Sequence, residues 1–129
     1  MKRFLSILLC VLLVLSLIGQ ADTERETFRY TYIYAIRANL SISGTSATVS
    51  GQILPRTPLP TDITVSLQEY QSDGTWSTVA SWSDSNPAGE SQAGGTVSVS
   101  STSTYRAYVV GHVYDSDGIL LETATKYKP

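Results

Sequence analysis

The sequence predicts an all-β chain folded as an antiparallel β-sandwich of about seven strands. Three observations carry that reading. Short runs in which apolar and polar residues alternate recur at the roughly 8–12-residue spacing of sandwich strands. Ser and Thr make up 31 of the 108 residues from Asp22 onward, and all eight tyrosines lie there as well, a composition suited to half-exposed pleated surfaces. The same stretch carries no helical periodicity.

The first element is of a different kind. Met1, Lys2 and Arg3 form a short positive region, Phe4 to Ile18 is uncharged and leucine-rich, and Gly19-Gln20-Ala21 puts small residues where a signal peptidase reads. Residues 1–21 therefore read as a signal-peptide helix, cut after Ala21. The apolar run is about 15 residues, short of the roughly 20 that span a bilayer. Cys10 lies inside that run behind Leu8 and Leu9, not in the small-residue setting of a lipidation signal. The chain from Asp22 holds no cysteine, so its stability must come from a core and not from disulfides. Residues 22–37 read as a partly flexible lead-in and 38–129 as the sandwich.

Leu40 and Ile42 alternate with Ser41 and Ser43 before a turn at Gly44-Thr45, and Ala47, Val49 and Gly51 alternate with Thr48 and Ser50 up to Ile53. Prolines at 55, 58 and 60 cannot donate to a ladder, so 55–60 is a loop. Ile63, Val65 and Leu67 alternate with Thr64, Ser66 and Gln68, and Asp73-Gly74 turns that strand into a return strand over 76–82. In that return strand Trp76, Ala80 and Trp82 share one parity and Val79 takes the other, which leaves a bulge or a two-sided strand open. Residues 84–95, with Pro87, Gly89, Gly94 and Gly95, read as a polar, mobile loop, followed by a short strand around Val97 and Val99. A long strand over 105–114, an Asp117-Gly118 turn and a last strand over 119–127 complete an immunoglobulin-like or fibronectin type III-like plan.

Tyr105-Arg106-Ala107-Tyr108-Val109-Val110, followed by a turn and a final strand, resembles the last hairpin of fibronectin type III domains. Together with Leu40-Ser41-Ile42-Ser43-Gly44, Ala47-Thr48-Val49-Ser50-Gly51, Val65-Ser66-Leu67-Gln68, Trp76-Ser77-Thr78-Val79 and Trp82-Ser83, it is similar to a family of small secreted proteins of Gram-positive bacteria whose function is unknown. The resemblance spans about 29–127. It implies a single sandwich domain and export, and it implies no catalytic residues.

Charge and motifs narrow the function classes. Nine Lys and Arg against eleven Asp and Glu leave a formal charge of -2, no footprint for nucleic acid. No membrane partner is expected once the signal peptide is cut. Asp115-Ser116-Asp117-Gly118 begins like a calcium loop, but Ile119, Leu120 and Leu121 follow at once and Glu122 falls too early, so a hairpin turn is expected. The single histidine, His112, has no Gly-x-Ser-x-Gly partner motif and cannot build a zinc site by itself. No catalytic, metal or cofactor residues are expected. The aromatic residues are the remaining lead. Tyr30, Tyr32 and Tyr34 share a parity near the N-terminus. Tyr70, Tyr108 and Tyr114 are expected with His112 on the outer face of one sheet, where stiff rings suit a protein or glycan. Tyr105 is expected to make a tyrosine-corner bond. The expected protein is thus a secreted, non-enzymatic binder. The alternative is a soluble inhibitor that uses the proline-rich loop at 55–60.

Overall fold

Alternation in this sequence asks each strand to bury every second residue, and the computed structural model, which describes residues 30–129, does so in seven strands. They are β1 (Ile33–Ser43), β2 (Ser46–Pro55), β3 (Thr61–Tyr70), β4 (Trp76–Asn86), β5 (Ser91–Ser98), β6 (Tyr105–Tyr114) and β7 (Leu120–Lys128). β1-β2-β5 form one sheet and β4-β3-β6-β7 the other, and every pairing is antiparallel. This is an immunoglobulin-like/fibronectin type III-like sandwich in which the fourth strand has joined the sheet of β3, β6 and β7. The proposed signal-peptide helix lies outside the described residues.

β6 shows the rule most clearly, with Tyr105, Ala107, Val109, Gly111 and Val113 buried and the residues between them half-buried. Its inner face lies beside Ile63, Val65 and Leu67 of β3 and, across the sandwich, meets Ile36, Gly51 and Ile53. β1 starts at Ile33, so residues 33–37, read from sequence as lead-in, are strand. Its register with β2 shifts between Ile33 and Ala35, which is why Ile33 and Ile36, of opposite parity, are both buried. The shift also takes Tyr34 out of a simple alternation with Tyr32.

The expected loop at 84–95 is mostly strand. β4 continues to Asn86, β5 begins at Ser91, and only residues 87–90 turn. Of the glycines that suggested a loop, Gly89 and Gly94 do hold positive φ, at 157° and 155°, but Gly95 is there for a packing reason. A Cβ on Gly95 would collide with the Trp82 indole, 2.7 Å from its Cε2. Gly51 and Gly111 play the same part elsewhere: their Cβ atoms would lie 2.6 Å from Val65 Cγ2 and from Ile53 Cδ1. At each of these three points, bare backbone receives a large side chain from the facing sheet.

Three polar ties close the sandwich. The Glu122 carboxylate of β7 accepts the backbone N–H groups of Thr31, Tyr32 and Ile33, each at 2.9 Å, and so holds the start of β1. Buried Thr61 donates to the Gly89 carbonyl at 2.6 Å and lies 2.7 Å from the Ser91 hydroxyl, joining β3 to β5. The Tyr105 hydroxyl accepts the Ser100 N–H at 2.9 Å, five residues upstream, which is the expected corner bond, and donates to Glu69 at 2.9 Å. That bond, followed by those from Gln71 and Ser103, holds the Glu69 carboxyl below its usual range.

The Gly95–Trp82 contact generates a test. Gly95→Ala should cost about 1–3 kcal/mol, the range for an overpacked core. Combined with Trp82→Phe, it should cost less than the two single changes added together, because the smaller ring leaves room for the methyl. Urea melts of the four proteins check this; strict additivity would mean that the two residues are not in contact.

Candidate functional site

β6 lies between β3 and β7, and β3 between β6 and β4, so residues in register form rows across the outer face of the four-stranded sheet. One row runs Ser85, Asp62, His112, Thr123; the next runs Ser83, Thr64, Val110, Thr125; a third runs Ser81, Ser66, Tyr108, Tyr127. Gln68 and Arg106 pair in the fourth row, with Thr78 beside Gln68, and Tyr70 pairs with Trp76 beyond it. The two tryptophans of β4 therefore do not share a face. The register of β3 on β4 shifts between Leu67, opposite Ala80, and Gln68, opposite Thr78, so Val79 is bulged out. The extra residue returns Trp76 to the outer face while Trp82 stays on the inner one.

On the outer face Trp76 meets Arg106. The guanidinium carbon sits 4.2 Å from the Trp76 ring centroid and 4.2 Å from that of Tyr127. Tyr127 in turn stacks on Tyr108 at 4.7 Å and an interplanar angle of 14°. Tyr70 meets Trp76 edge-on at 5.2 Å. Arg106 Nε donates to Gln68 Oε1 at 2.8 Å, which fixes the plane of the guanidinium. Such cation–π contacts contribute about 0.5–1 kcal/mol each at exposed sites. Partial burial, followed by the neighbouring Tyr127 phenol, raises the Tyr108 phenol above its usual value. Tyr70 and Tyr127 remain half exposed.

A second cluster occupies the far end of the face. One Asp62 carboxylate oxygen lies 2.5 Å from His112 Nδ1, and the other accepts the Tyr114 hydroxyl at 2.5 Å. Asp62, His112, Thr64, Ser83, Asp84 and Ser85 border an open recess of about 550 Å³. The structure thus places all four sequence-selected residues, Tyr70, Tyr108, His112 and Tyr114, on one face, but in two separate clusters. Sequence reasoning missed Arg106, Tyr127 and Asp62 as members, and it left Trp76 unplaced.

The remaining candidates are occupied structurally. Asp115 accepts the Asp117 and Ile119 amides, each at 2.9 Å, as a hairpin-turn aspartate does. The proline-rich loop is tied to the body by backbone bonds at 56, 59 and 60, with Thr57 and Pro58 exposed between them. Leu59 accepts from the Gly89 amide at 3.1 Å, Pro60 from the Tyr114 amide at 2.9 Å, and the Arg56 amide donates to Tyr32 at 2.9 Å. Among the described residues no group of three His, Cys, Asp or Glu side chains could hold a metal.

No family model matches the chain. A search of curated proteins also finds no match. Among solved structures the chain is similar to a protein of Bacteroides fragilis assigned as a beta-galactosidase, with 15% identity and a TM-score of 0.41 over 71% of this chain and 15% of that one. It is also similar to Spo0M, a sporulation control protein of Bacillus subtilis, with 13% identity and a TM-score of 0.36 over 77% of this chain and 49% of that one. A third is Bacteroides uniformis beta-glucuronidase 2, with 16% identity and a TM-score of 0.29 over 71% and 12%. The chain spans half or less of each of these proteins, and none supports an assignment of function.

The Asp62 cluster has a pH signature. The Tyr114 phenol is pushed up to about 12, first by its hydrogen bond to Asp62, then by desolvation and by the Asp62 charge. A folded value above the unfolded one near 10.0 means that this stabilisation is complete below the unfolded value and is lost as pH rises through about 12. The stability difference between wild type and Tyr114→Phe should therefore hold steady to about pH 10 and shrink between there and 12. A difference that stays constant over that interval in denaturant melts would contradict the pairing.

Proposed function

We propose that the chain is a secreted, non-enzymatic β-sandwich protein that binds an extracellular protein or glycan through the outer face of the β4-β3-β6-β7 sheet. Export rests on the N-terminal sequence, whose charged start, apolar run and small residues at 19–21 have the order of a cleaved signal peptide. The resemblance to small secreted proteins of Gram-positive bacteria fits the same reading.

The observation that carries the binding face is the Trp76–Arg106–Tyr127–Tyr108 stack with Tyr70 at its end. Rings and a guanidinium already fixed in place lose little conformational freedom when a partner docks. Trp, Tyr and Arg are also the residues that dominate binding hot spots. The non-enzymatic reading is supported at the other end of the face. His112 turns Nδ1 to Asp62, and Thr123, next in register, makes no hydrogen bond to its ring. The neighbouring backbone amides belong to sheet ladders, so they are not aimed at a developing oxyanion.

The test uses the secreted protein, whose first residue is expected to be Asp22, screened against glycans and extracellular proteins. Trp76→Ala with Tyr127→Ala should weaken any retained ligand by about tenfold or more, the effect of losing at least one hot-spot contact. Tyr34→Ala, on the other sheet, should not. Unchanged binding in the Trp76/Tyr127 variant would place the site elsewhere.

A further inference from the structure

We infer that the outer face receives a glycan bearing carboxylate groups, with Arg106 as the anchor for one of them. This rests on the outer-face reading above and names its ligand class. The stack decides the mode of contact. Arg106 takes a face of Trp76 and a face of Tyr127, and Tyr127 also stacks on Tyr108, so the middle of the stack presents edges and not a platform for a sugar ring. The edges carry donors: the terminal guanidinium nitrogens of Arg106 and the phenol hydroxyls of Tyr108 and Tyr127.

Arg106 is prepared for an anion in two ways. Rings on both sides and the Nε bond to Gln68 hold its plane, so the fork that matches a carboxylate in two parallel hydrogen bonds is already set. Among the described residues no carboxylate lies within ion-pair distance of it. The carboxylate on this face, Asp62, belongs to the His112 row, six residues along β6 and about 20 Å away at strand rise.

The surface beyond the stack favours a glycan over an acidic peptide. It continues as exposed hydroxyls, Ser81, which covers buried Ser66 at 2.8 Å, and Thr64 with Ser83 at 3.2 Å, with Val110 the aliphatic side chain of those rows. Hydroxyls both donate and accept, as sugar hydroxyls do.

Calorimetric titration of the full secreted protein with polygalacturonate, its fully methyl-esterified form and polyglutamate tests the inference. Polygalacturonate should bind, and the ester and polyglutamate should each bind about tenfold more weakly or worse, since each lacks one of the two recognised features. Arg106→Lys keeps the charge but loses the planar fork, and should weaken polygalacturonate about tenfold. Equal binding of acid and ester, equal binding of polyglutamate, or an unchanged Arg106→Lys variant would each overturn the inference, and the acid–ester comparison needs no variant to fold. If polygalacturonate fails but another ligand binds and is lost in the Trp76/Tyr127 variant, only the anionic glycan is excluded. If no ligand depends on Trp76 and Tyr127, the outer-face reading falls as well.

Discussion

The bulge at Val79 decides the character of both faces of the larger sheet. A strand's side chains alternate, so two tryptophans six residues apart would otherwise point the same way. One extra residue between Trp76 and Trp82 sends them to opposite sides. Trp82 is left on the inner face, where its indole lies on the bare backbone of Gly95. Trp76 reaches the outer face, where it closes one side of the Arg106 guanidinium. Without the bulge the inner face would have a second indole to house, and Arg106 would keep Tyr127 as its one flanking ring. Core packing and the candidate binding surface thus depend on the same irregularity.

The inner side can accommodate an indole because the sheets use glycine where they approach. Gly95 receives Trp82, Gly51 receives Val65 and Val109, and Gly111 receives Ile53 and Ile36. Each glycine lies on a strand and is matched by a large residue from the facing sheet, the alternation of small and large on which close packing depends. Around this core, Glu122, Thr61 with Ser91, and Tyr105 satisfy polar groups at the sandwich margins. Among the described residues no buried side-chain nitrogen or oxygen is left without a partner. The sandwich, which contains no cysteine, is held by these means.

Much of the fold was legible in the residues. Alternation located β2, β3 and β6, and the Asp73-Gly74 and Asp117-Gly118 turns do close hairpins, with Gly74 at φ 87° and Gly118 at φ 81°. The 84–95 segment was not legible, because glycines that accommodate a partner's side chain look the same in sequence as glycines that turn the chain. The start of β1 was hidden by its own bulge, which breaks the parity of Ile33 and Ile36. At the candidate site, parity alone placed Tyr70, Tyr108, His112 and Tyr114 on the outer face. Assembling the stack also needed the β6–β7 register, which sets Tyr127 against Tyr108, and the Val79 bulge, which no local pattern specifies. Arg106 has the parity of Tyr108 and could have been found by asking which cation lies among the outer-facing aromatics.

The two tryptophans occupy opposite faces, half-buried Trp82 against Gly95 on the inner side and Trp76 in the stack. A single NOESY spectrum of the folded protein tests it directly. Cross-peaks are expected from the Trp82 indole N–H to the Gly95 α-protons, and from the Trp76 ring to the Arg106 side chain, whose methylene protons should be shifted upfield by the flanking rings. Cross-peaks from both indoles to inner-face residues such as Gly95, with Arg106 at ordinary shifts, would contradict it.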